Sequence, residues 1–536
     1  MPNKAIKVRR SHSRSHKLGF LTAALGAVAI AATICNGAPS TQDATEAIWP
    51  TKEWQTSSPE EQGMDSKELA ELVNVGTTHS LDSLLVARHG KIVAEAYYAP
   101  YTSGIPHAMY SATKAIISTL TAIAWKDGLL DSPNHRALDF FDHRSIANLD
   151  DRKEAITIQS LLDMTSGIAW TEPLYGMPYS ALEMERDPDW VKFVLDRPMS
   201  SAPGDGFNYN SGNPHVLSAI ITKMTGMSAL EYAKAKLFGP LGITDVFWAH
   251  DPQGISIGGY GLYLEPRDMA KIGYLYLRNG TWEGKQLLPP AWADKVAHAT
   301  VNMHVALEPE LRYSNLFWAL LEKHVYMAVG HNGQKIIVFP DLDVVAVTTG
   351  RTPWPPSELP NYVFNSVKSD TSLPADAASE KLLIDKIRDI STEKPTEVGP
   401  ASKMAALISG KVYTFPPNEL NVKSLSLILT GPQPHYDIET YAPDATKSET
   451  RFTGPIGLDG LYRKGEPTYI QQLGIRRVNA VKGTWQGDHA FVIDRLVVGQ
   501  GQPPEQWTLT FFGEKLNVLV NLAESRQILI DGEAGG

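Results

Sequence analysis

The sequence predicts an α+β protein. We expect an antiparallel sheet flanked by helices, with a helical subdomain inserted into it and an antiparallel, barrel-like β-domain after it. Strand-forming patterns at 83–97 and 335–349 enclose a helical middle. After about residue 402 the pattern changes to short strands with a period of two. The length of 536 residues is enough for two or three domains.

The elements of the first part follow from hydrophobic spacing and turn residues. Apolar residues three apart at 69, 72 and 75 predict a helix over 65–75. The turn His89-Gly90 between two apolar runs predicts a hairpin of strands at 83–88 and 91–97. Further expected elements are a helix that begins at Ser111 and continues through the apolar run at 115–125, helices at 158–164, 189–195, 216–224 and 267–277, a hairpin at 335–339 and 344–349, and an amphipathic helix at 381–390.

The last quarter of the chain alternates apolar and polar residues, as at 424–429 and 507–511. Tyr413, Tyr462, Trp485 and Phe491 are bulky candidates for its core. This pattern predicts an antiparallel β-domain, and we expect it to serve in packing or in substrate gating. The predicted boundaries are 1–37 for a signal peptide, 45–391 for the first domain, 392–402 for a linker and 403–536 for the β-domain.

The N-terminus has the pattern of a secretory signal peptide. Six basic residues precede an apolar run at 18–34, and small residues follow as far as position 40. We therefore expect residues 1–37 to be removed and the protein to be secreted or periplasmic. The alternative is that the segment is retained and anchors the chain, because its apolar run is long.

Composition excludes several classes of function. The formal net charge is −10 although the N-terminal segment is basic, which argues against nucleic acid or an anionic membrane as a partner. Cys35, the single cysteine, lies in or beside the signal, so the rest of the chain has no disulfide, thiol nucleophile or cysteine-built zinc site. Without a P-loop, a dinucleotide fingerprint or a His-Glu-x-x-His motif, we expect no metal and no organic cofactor.

The first candidate catalytic motif is Ser111-Ala-Thr-Lys114, followed by an apolar run. A spacing of three places both side chains on one face of a helix. A buried, neutral lysine can accept the serine proton, and a helix N-terminus offers N–H groups to an oxyanion. A second Ser-x-x-Lys at 391–394 has no apolar helix after it and is discarded.

Two later loops carry residues that could complete this site. Tyr209 lies among Gly and Asn residues just before a predicted buried helix, where a tyrosine near a lysine can be partly ionised and transfer protons. His331-Asn332-Gly333-Gln334 precedes a strand, where a glycine allows a substrate to approach the backbone. Taken singly, Tyr209 reads as a core tyrosine and His331 as a turn histidine.

Together the three motifs resemble the serine β-lactamase and penicillin-binding-protein superfamily. The class C branch, with its esterases, D-aminopeptidases and 6-aminohexanoate-dimer hydrolases, also resembles this chain at 163–167, 258–262 and 267–270. The resemblance implies the corresponding α+β fold over residues 49–390. It implies Ser111 as the acylated nucleophile, Lys114 and Tyr209 as the proton-transfer pair, and the N–H groups of Ser111 and Gln334 as the oxyanion hole.

Two departures from the β-lactamase pattern point away from β-lactams. Tyr209-Asn-Ser211 replaces Tyr-x-Asn and is closer to the 6-aminohexanoate-dimer hydrolases. His331-Asn-Gly333 replaces Lys-Thr-Gly, and a histidine at neutral pH lacks the fixed charge that a lysine offers a substrate carboxylate. The resemblance thus implies a small ester, amide or short-peptide substrate, with His331, Gly333, Ser211 and Tyr175 as substrate-side residues.

Three alternatives remain open at this point. One is a β-lactamase or a D-amino-acid peptidase that acts on cell-wall-type peptides. Another is a penicillin-binding or sensor protein that is acylated without turnover. The third is an α/β-hydrolase built on Gly254-x-Ser256-x-Gly258, although that elbow needs a strand before it and a helix after it. The oligomeric state is not indicated by the sequence.

Overall fold

A nine-stranded sheet forms the centre of the first part of the chain. The computed structural model describes residues 48–174, 177–441, 451–470, 475–522 and 526–535. The edge strand β1 runs parallel to β3, and the remaining neighbours are antiparallel. In spatial order the strands are β1 (Gln55–Thr56), β3 (Lys91–Tyr97), β2 (Leu81–Arg88), β14 (Val344–Gly350), β13 (Gln334–Phe339), β12 (Val325–Gly330), β11 (Phe317–Leu320), β10 (Leu311–Ser314) and β9 (Val301–Asn302).

Helices cover this sheet and fill the segment between its two halves. Helix α9 packs against β13 and β14, while α1 and α12 contact β2 and β3. The insertion is built around α7, which contacts α2, α4 and α6. The helices are α1 (Ser66–Thr78), α2 (Thr113–Lys126), α3 (Asp151–Glu154), α4 (Ile158–Leu162), α5 (Tyr179–Met184), α6 (Trp190–Asp196), α7 (Gly212–Thr225), α8 (Ala229–Ala233), α9 (Pro266–Leu277), α10 (Pro290–Ala297), α11 (Leu359–Ser366), α12 (Ala377–Ser391) and α13 (Met404–Ile408).

Helix α2 is the most deeply buried helix near the sheet. Every residue from Thr113 to Ala124 is buried, which explains an apolar run without a polar face. Two of its hydroxyls are satisfied within the helix, since Thr119 donates to the Ala115 carbonyl and Thr121 to the Ile117 carbonyl. The helix can therefore hold its first turn rigidly inside the protein.

Two small sheets lie beside the large one. The first contains β4 (His107–Ala108), β6 (Leu262–Leu264) and β5 (Phe247–Trp248), in that order, and the second is the hairpin β7 (Thr281–Trp282) with β8 (Lys285–Gln286). Strand β4 comes directly before the Ser111 motif. Pairing between β4 and β6 thus joins that motif to the segment at 258–262.

The C-terminal part is a nearly closed antiparallel sheet, as the period-two pattern predicts. Its core contains Tyr413, Trp485 and Phe491, whereas Tyr462 packs on a separate small cluster around Tyr101 and Leu496. In order, its strands are β18 (Arg451–Pro455), β17 (His435–Thr440), β16 (Val422–Ile428), β15 (Val412–Thr414), β25 (Gln527–Ala534), β24 (Lys515–Asn521), β23 (Glu505–Phe512), β22 (Ala490–Val498), β21 (Ile475–Gln486) and β19 (Arg463–Lys464), with β20 (Thr468–Ile470) paired to β21.

The predicted fold class is confirmed by this arrangement, with helices on an antiparallel sheet followed by a barrel-like sheet. The proposed signal peptide and Tyr175 lie outside the described residues. Within the ranges given above, no helix combines the length and apolar character needed to cross a membrane.

Candidate active site

Ser111 lies in a short 3₁₀ turn, Tyr110–Ala112, that leads directly into α2. The sequence predicts the start of the helix at Ser111, whereas α2 itself begins at Thr113. The turn is fixed from outside, because the Met109 amide donates to the Leu262 carbonyl at 2.8 Å. Ser111 is thus held on backbone that is braced both by α2 and by the small sheet.

The amine of Lys114 lies in the first turn of α2 and contacts the Ser111 hydroxyl. Its Nζ is 2.8 Å from Ser111 Oγ, 2.9 Å from Ser211 Oγ and 2.9 Å from the Gly259 carbonyl oxygen. It also lies over the Tyr209 ring, 4.8 Å from the ring centroid. Three segments that are distant in sequence, at 111–114, 209–211 and 259, therefore meet at one amino group.

Burial controls the protonation of this lysine. Only 1% of Lys114 is exposed, and this burial lowers its pKa from 10.5 to about 8, because an ammonium loses its hydration inside the protein. The charge of Glu172 opposes the shift and raises the pKa of Lys114. At pH 7 roughly a tenth of Lys114 is therefore an uncharged amine that can accept a proton.

Tyr209 lies beside the serine and the lysine, as the resemblance implies. Burial raises the pKa of its phenol, the charge of Glu172 raises it further, and a hydrogen bond with Ser111 opposes both effects. The resting phenol is consequently neutral. This differs from the partly ionised tyrosine expected from a neighbouring lysine, because loss of hydration outweighs that attraction.

Glu172 is a residue of the site that sequence reasoning missed. Its carboxylate accepts hydrogen bonds from Ser211 Oγ at 2.6 Å, from the Ser211 amide at 2.8 Å and from Trp170 Nε1 at 2.6 Å. Ser211 therefore bridges Glu172 and Lys114, accepting from the amine and donating to the carboxylate. A lone glutamate in an irregular loop has no periodicity or spacing that would mark it in advance.

The turn between β12 and β13 brings the third motif beside the Ser111 turn. A Cβ placed on Gly330 would lie 2.1 Å from the Met109 carbonyl oxygen and 3.2 Å from the Ala112 amide nitrogen. A side chain at position 330 would therefore separate the two segments. Gln334 is fully buried at the start of β13, and the exposed His331 ring lies 5.7 Å from the Tyr110 ring.

Of the other family-like segments, 258–262 enters the site through the Gly259 carbonyl, whereas 163–167 and 267–270 lie outside it. Ser166 donates to Asn213 Oδ1 at 3.0 Å, which ties the 163–167 segment to α7 just after Ser211. Arg267 makes a two-pronged ion pair with Glu95 across α9 and β3. Neither pair contacts the Lys114 amine.

Ser256, the serine of the alternative Gly-x-Ser-x-Gly elbow, is buried and hydrogen-bonded to the backbone. It is 3% exposed, and its hydroxyl accepts a hydrogen bond from the Leu230 amide. No helix follows it, since the next regular element is strand β6. Among the described residues, no group of three or more His, Cys, Asp or Glu side chains is arranged to hold a metal ion.

Comparisons with known proteins agree with this geometry. The family model described as beta-lactamase matches residues 77–362, more than half of the chain. A 6-aminohexanoate-dimer hydrolase from Paenarthrobacter ureafaciens is 24% identical over 315 residues, which cover 55% of this chain and 79% of that protein.

Two solved structures are similar to this chain at low identity. EstCE1, described as a hydrolase with promiscuous acyltransferase activity, is 16% identical with a TM-score of 0.45, covering 61% of this chain and 99% of its own. The octameric penicillin-binding protein homologue from Pyrococcus abyssi is 16% identical with a TM-score of 0.44, covering 87% of this chain and 99% of its own.

The family match includes the serine turn, the lysine beneath it, the tyrosine loop and the β12–β13 turn. Because it extends over more than half of the sequence, the protein belongs to the beta-lactamase family.

Proposed function

We propose that the protein hydrolyses small ester or amide substrates through an acyl-enzyme on Ser111. Its family membership and its similarity to a 6-aminohexanoate-dimer hydrolase make it a serine hydrolase of the esterase or amidase type. The observation that carries the proposal is the contact between the Lys114 amine, whose pKa is lowered to about 8, and Ser111 Oγ at 2.8 Å.

Acylation begins with proton transfer from Ser111 Oγ to the uncharged amine of Lys114. The oxygen attacks the substrate carbonyl carbon, and the carbonyl oxygen becomes an oxyanion. The backbone N–H groups of Ser111 and Gln334 are the proposed donors to that oxygen. Tyr209 supplies a proton to the leaving oxygen or nitrogen as the bond to carbon breaks, and protonated Lys114 restores the phenol.

Deacylation uses the same groups in reverse. A water molecule occupies the place of the departed group and attacks the acyl carbon while Tyr209 and Lys114 remove its proton. Ser111 Oγ leaves as the second oxyanion collapses and takes a proton back from Lys114. Ser211 and Glu172 hold Lys114 in place through both half-reactions.

The third motif favours neutral substrates over β-lactams. His331 is exposed and occupies the position where β-lactamases carry a lysine for the substrate carboxylate. Unlike a lysine, an imidazole does not carry a fixed positive charge, so a substrate carboxylate gains less from it. We place His331, Gly333 and Ser211 on the substrate side; Tyr175 keeps this assignment from the resemblance alone.

We also propose that the protein is exported. The basic and apolar pattern of the first 37 residues is that of a signal peptide, and the protein is secreted or periplasmic if it is cleaved. Intact mass and N-terminal sequencing of protein from the medium and the periplasm should show loss of about this segment. Full-length protein in the membrane fraction would instead support the anchored alternative.

Ser111→Ala should reduce ester turnover to the background rate. A fluorophosphonate should modify the wild-type protein on the peptide that contains Ser111, as read by peptide mass spectrometry. The control is Ser256→Ala, which should retain turnover and labelling because Ser256 is buried elsewhere. Labelling of Ser256, or a Ser111→Ala protein that still turns over, would overturn the assignment. A long-lived penicillin adduct on Ser111 would support the sensor alternative.

The acylation rate should depend on pH through Lys114. Below about pH 8 the amine is protonated and cannot act as a base, so kcat/KM for a neutral ester should rise with pH and level off above that value. Glu172→Gln removes the charge that raises the pKa of Lys114, and the rising limb should move to lower pH. The control Glu183→Gln, on an exposed side chain paired with Arg197, should leave the profile in place. A profile that is flat from pH 6 to 9 would contradict this role.

Tyr209→Phe should slow acylation by roughly 10²- to 10⁴-fold, the range for a general acid or base. Stopped-flow measurement of the first turnover with a p-nitrophenyl ester isolates this step. Tyr232→Phe is a matched control, because that buried hydroxyl has no hydrogen-bond partner within the described part of the chain. Acylation by Tyr209→Phe at the wild-type rate would remove Tyr209 from the mechanism.

A further inference from the structure

A loop of the C-terminal β-domain reaches the Ser111 turn. It consists of residues 499–502, between β22 and β23, and we refer to it as the 499–502 loop. The Tyr110 hydroxyl donates to the Gln500 carbonyl at 2.8 Å and accepts from Gln502 Nε2 at 2.7 Å. The residue directly before the nucleophile is therefore held by a segment almost 400 residues later in the chain.

The same loop holds the β12–β13 turn. Asn332 Nδ2 donates to the Gly501 carbonyl at 2.8 Å and to Gln502 Oε1 at 3.4 Å. Asn332 is only 5% exposed, so these bonds satisfy a buried amide. The side-chain amide of Gln502 thus joins the Ser111 turn to the β12–β13 turn. Its nitrogen donates to the Tyr110 hydroxyl, and its oxygen accepts from Asn332.

The 499–502 loop fits tightly between the Ser111 turn and the β12–β13 turn. Gly501 has φ +66°, and a Cβ on it would lie 2.8 Å from Gln334 Nε2 and 3.1 Å from a carbon of the Tyr110 ring. Two further bonds fix the loop, from the Ala108 amide to the Gly499 carbonyl at 2.8 Å and from the Tyr263 hydroxyl to Gln500 Oε1 at 3.2 Å. A larger residue at position 501 would push Tyr110 and Gln334 apart.

Both residues that the loop holds have unusual backbone conformations. Tyr110 has φ +46° and Asn332 has φ +58°, which is the left-handed region that side chains other than glycine rarely adopt. Asparagine tolerates this region, but for a bulky tyrosine it costs free energy and persists only where the surroundings enforce it. Tyr110 precedes the Ser111 N–H, and Asn332 lies two residues before the Gln334 N–H.

We propose that the 499–502 loop is a positioning element of the active site, with Gln502 as its central residue. The loop holds Tyr110 and Asn332 in left-handed conformations and so aims the N–H groups of Ser111 and Gln334 at the oxyanion. The C-terminal domain thereby acts in transition-state stabilisation without touching the substrate. This inference rests on the proposed acyl-enzyme function of Ser111.

The test variants are Gln502→Ala, Tyr110→Phe and the double variant. Gln506→Ala is the control, because Gln506 is an exposed glutamine on the neighbouring strand and contacts Asp494. With p-nitrophenyl butyrate, Gln502→Ala and Tyr110→Phe should each lower kcat by about 10- to 100-fold and change KM little, since misplaced donors weaken transition-state binding most. The double variant should lose less than the product of the two single losses, because both single changes remove the Gln502–Tyr110 hydrogen bond.

Further measurements separate positioning from stability. Benzeneboronic acid, which forms a tetrahedral adduct with a serine oxygen, should bind Gln502→Ala more weakly by a factor close to the loss in kcat. The midpoints of thermal unfolding should stay near the wild-type value. Wild-type kcat in both single variants, or a loss that follows the unfolding midpoint or appears in KM alone, would overturn the inference.

Failure of the proposed function would look different. In that case the wild-type protein itself would show no fluorophosphonate adduct on Ser111 and no ester turnover. If the wild-type protein is labelled and active while Gln502→Ala matches Gln506→Ala, then the acyl-enzyme stands and the positioning role of the 499–502 loop is wrong.

Discussion

The arrangement of the site depends on the cost of burying the amine of Lys114. An amine with 1% exposure loses its water and needs protein acceptors in its place. The structure supplies two hydroxyls and one carbonyl, all within 2.9 Å, and places an aromatic ring beneath the charge. The same burial lowers the pKa of the amine towards neutrality, so one constraint yields both the geometry and the basicity.

Glu172 partly offsets the effect of burial on the pKa of Lys114. A fully desolvated lysine without a nearby carboxylate would lose more of its positive charge, while a direct ion pair would hold the proton firmly. Here the Glu172 carboxylate does not contact the amine directly. It accepts a hydrogen bond from the Ser211 hydroxyl at 2.6 Å, and that hydroxyl lies between it and Lys114. Its influence on the pKa of Lys114 is present but smaller than that of burial. Separation by one hydroxyl is therefore a means of tuning a base.

The second requirement of the site is backbone held in conformations that it would not adopt alone. Tyr110 and Asn332 both have positive φ, and contacts from distant parts of the chain surround them. The small sheet fixes the serine turn, and Gly330 lets the β12–β13 turn approach it closely. The 499–502 loop completes the enclosure from the C-terminal part of the chain, and these contacts are the basis of the positioning role proposed for the loop.

The sequence by itself determined the fold class, the hairpins around 89–90 and 340–343, and the Ser111, Lys114 and Tyr209 motifs, because periodicity and short spacing are local properties. It indicated neither Glu172 nor Gln502, and it suggested that Tyr209 can be partly ionised. Those features depend on which distant segments become neighbours and on how much water is excluded, and neither is encoded in local spacing. Only the tertiary structure decided them. Desolvation of a side chain, and a hydrogen bond between residues 390 positions apart, exist only once the chain has folded.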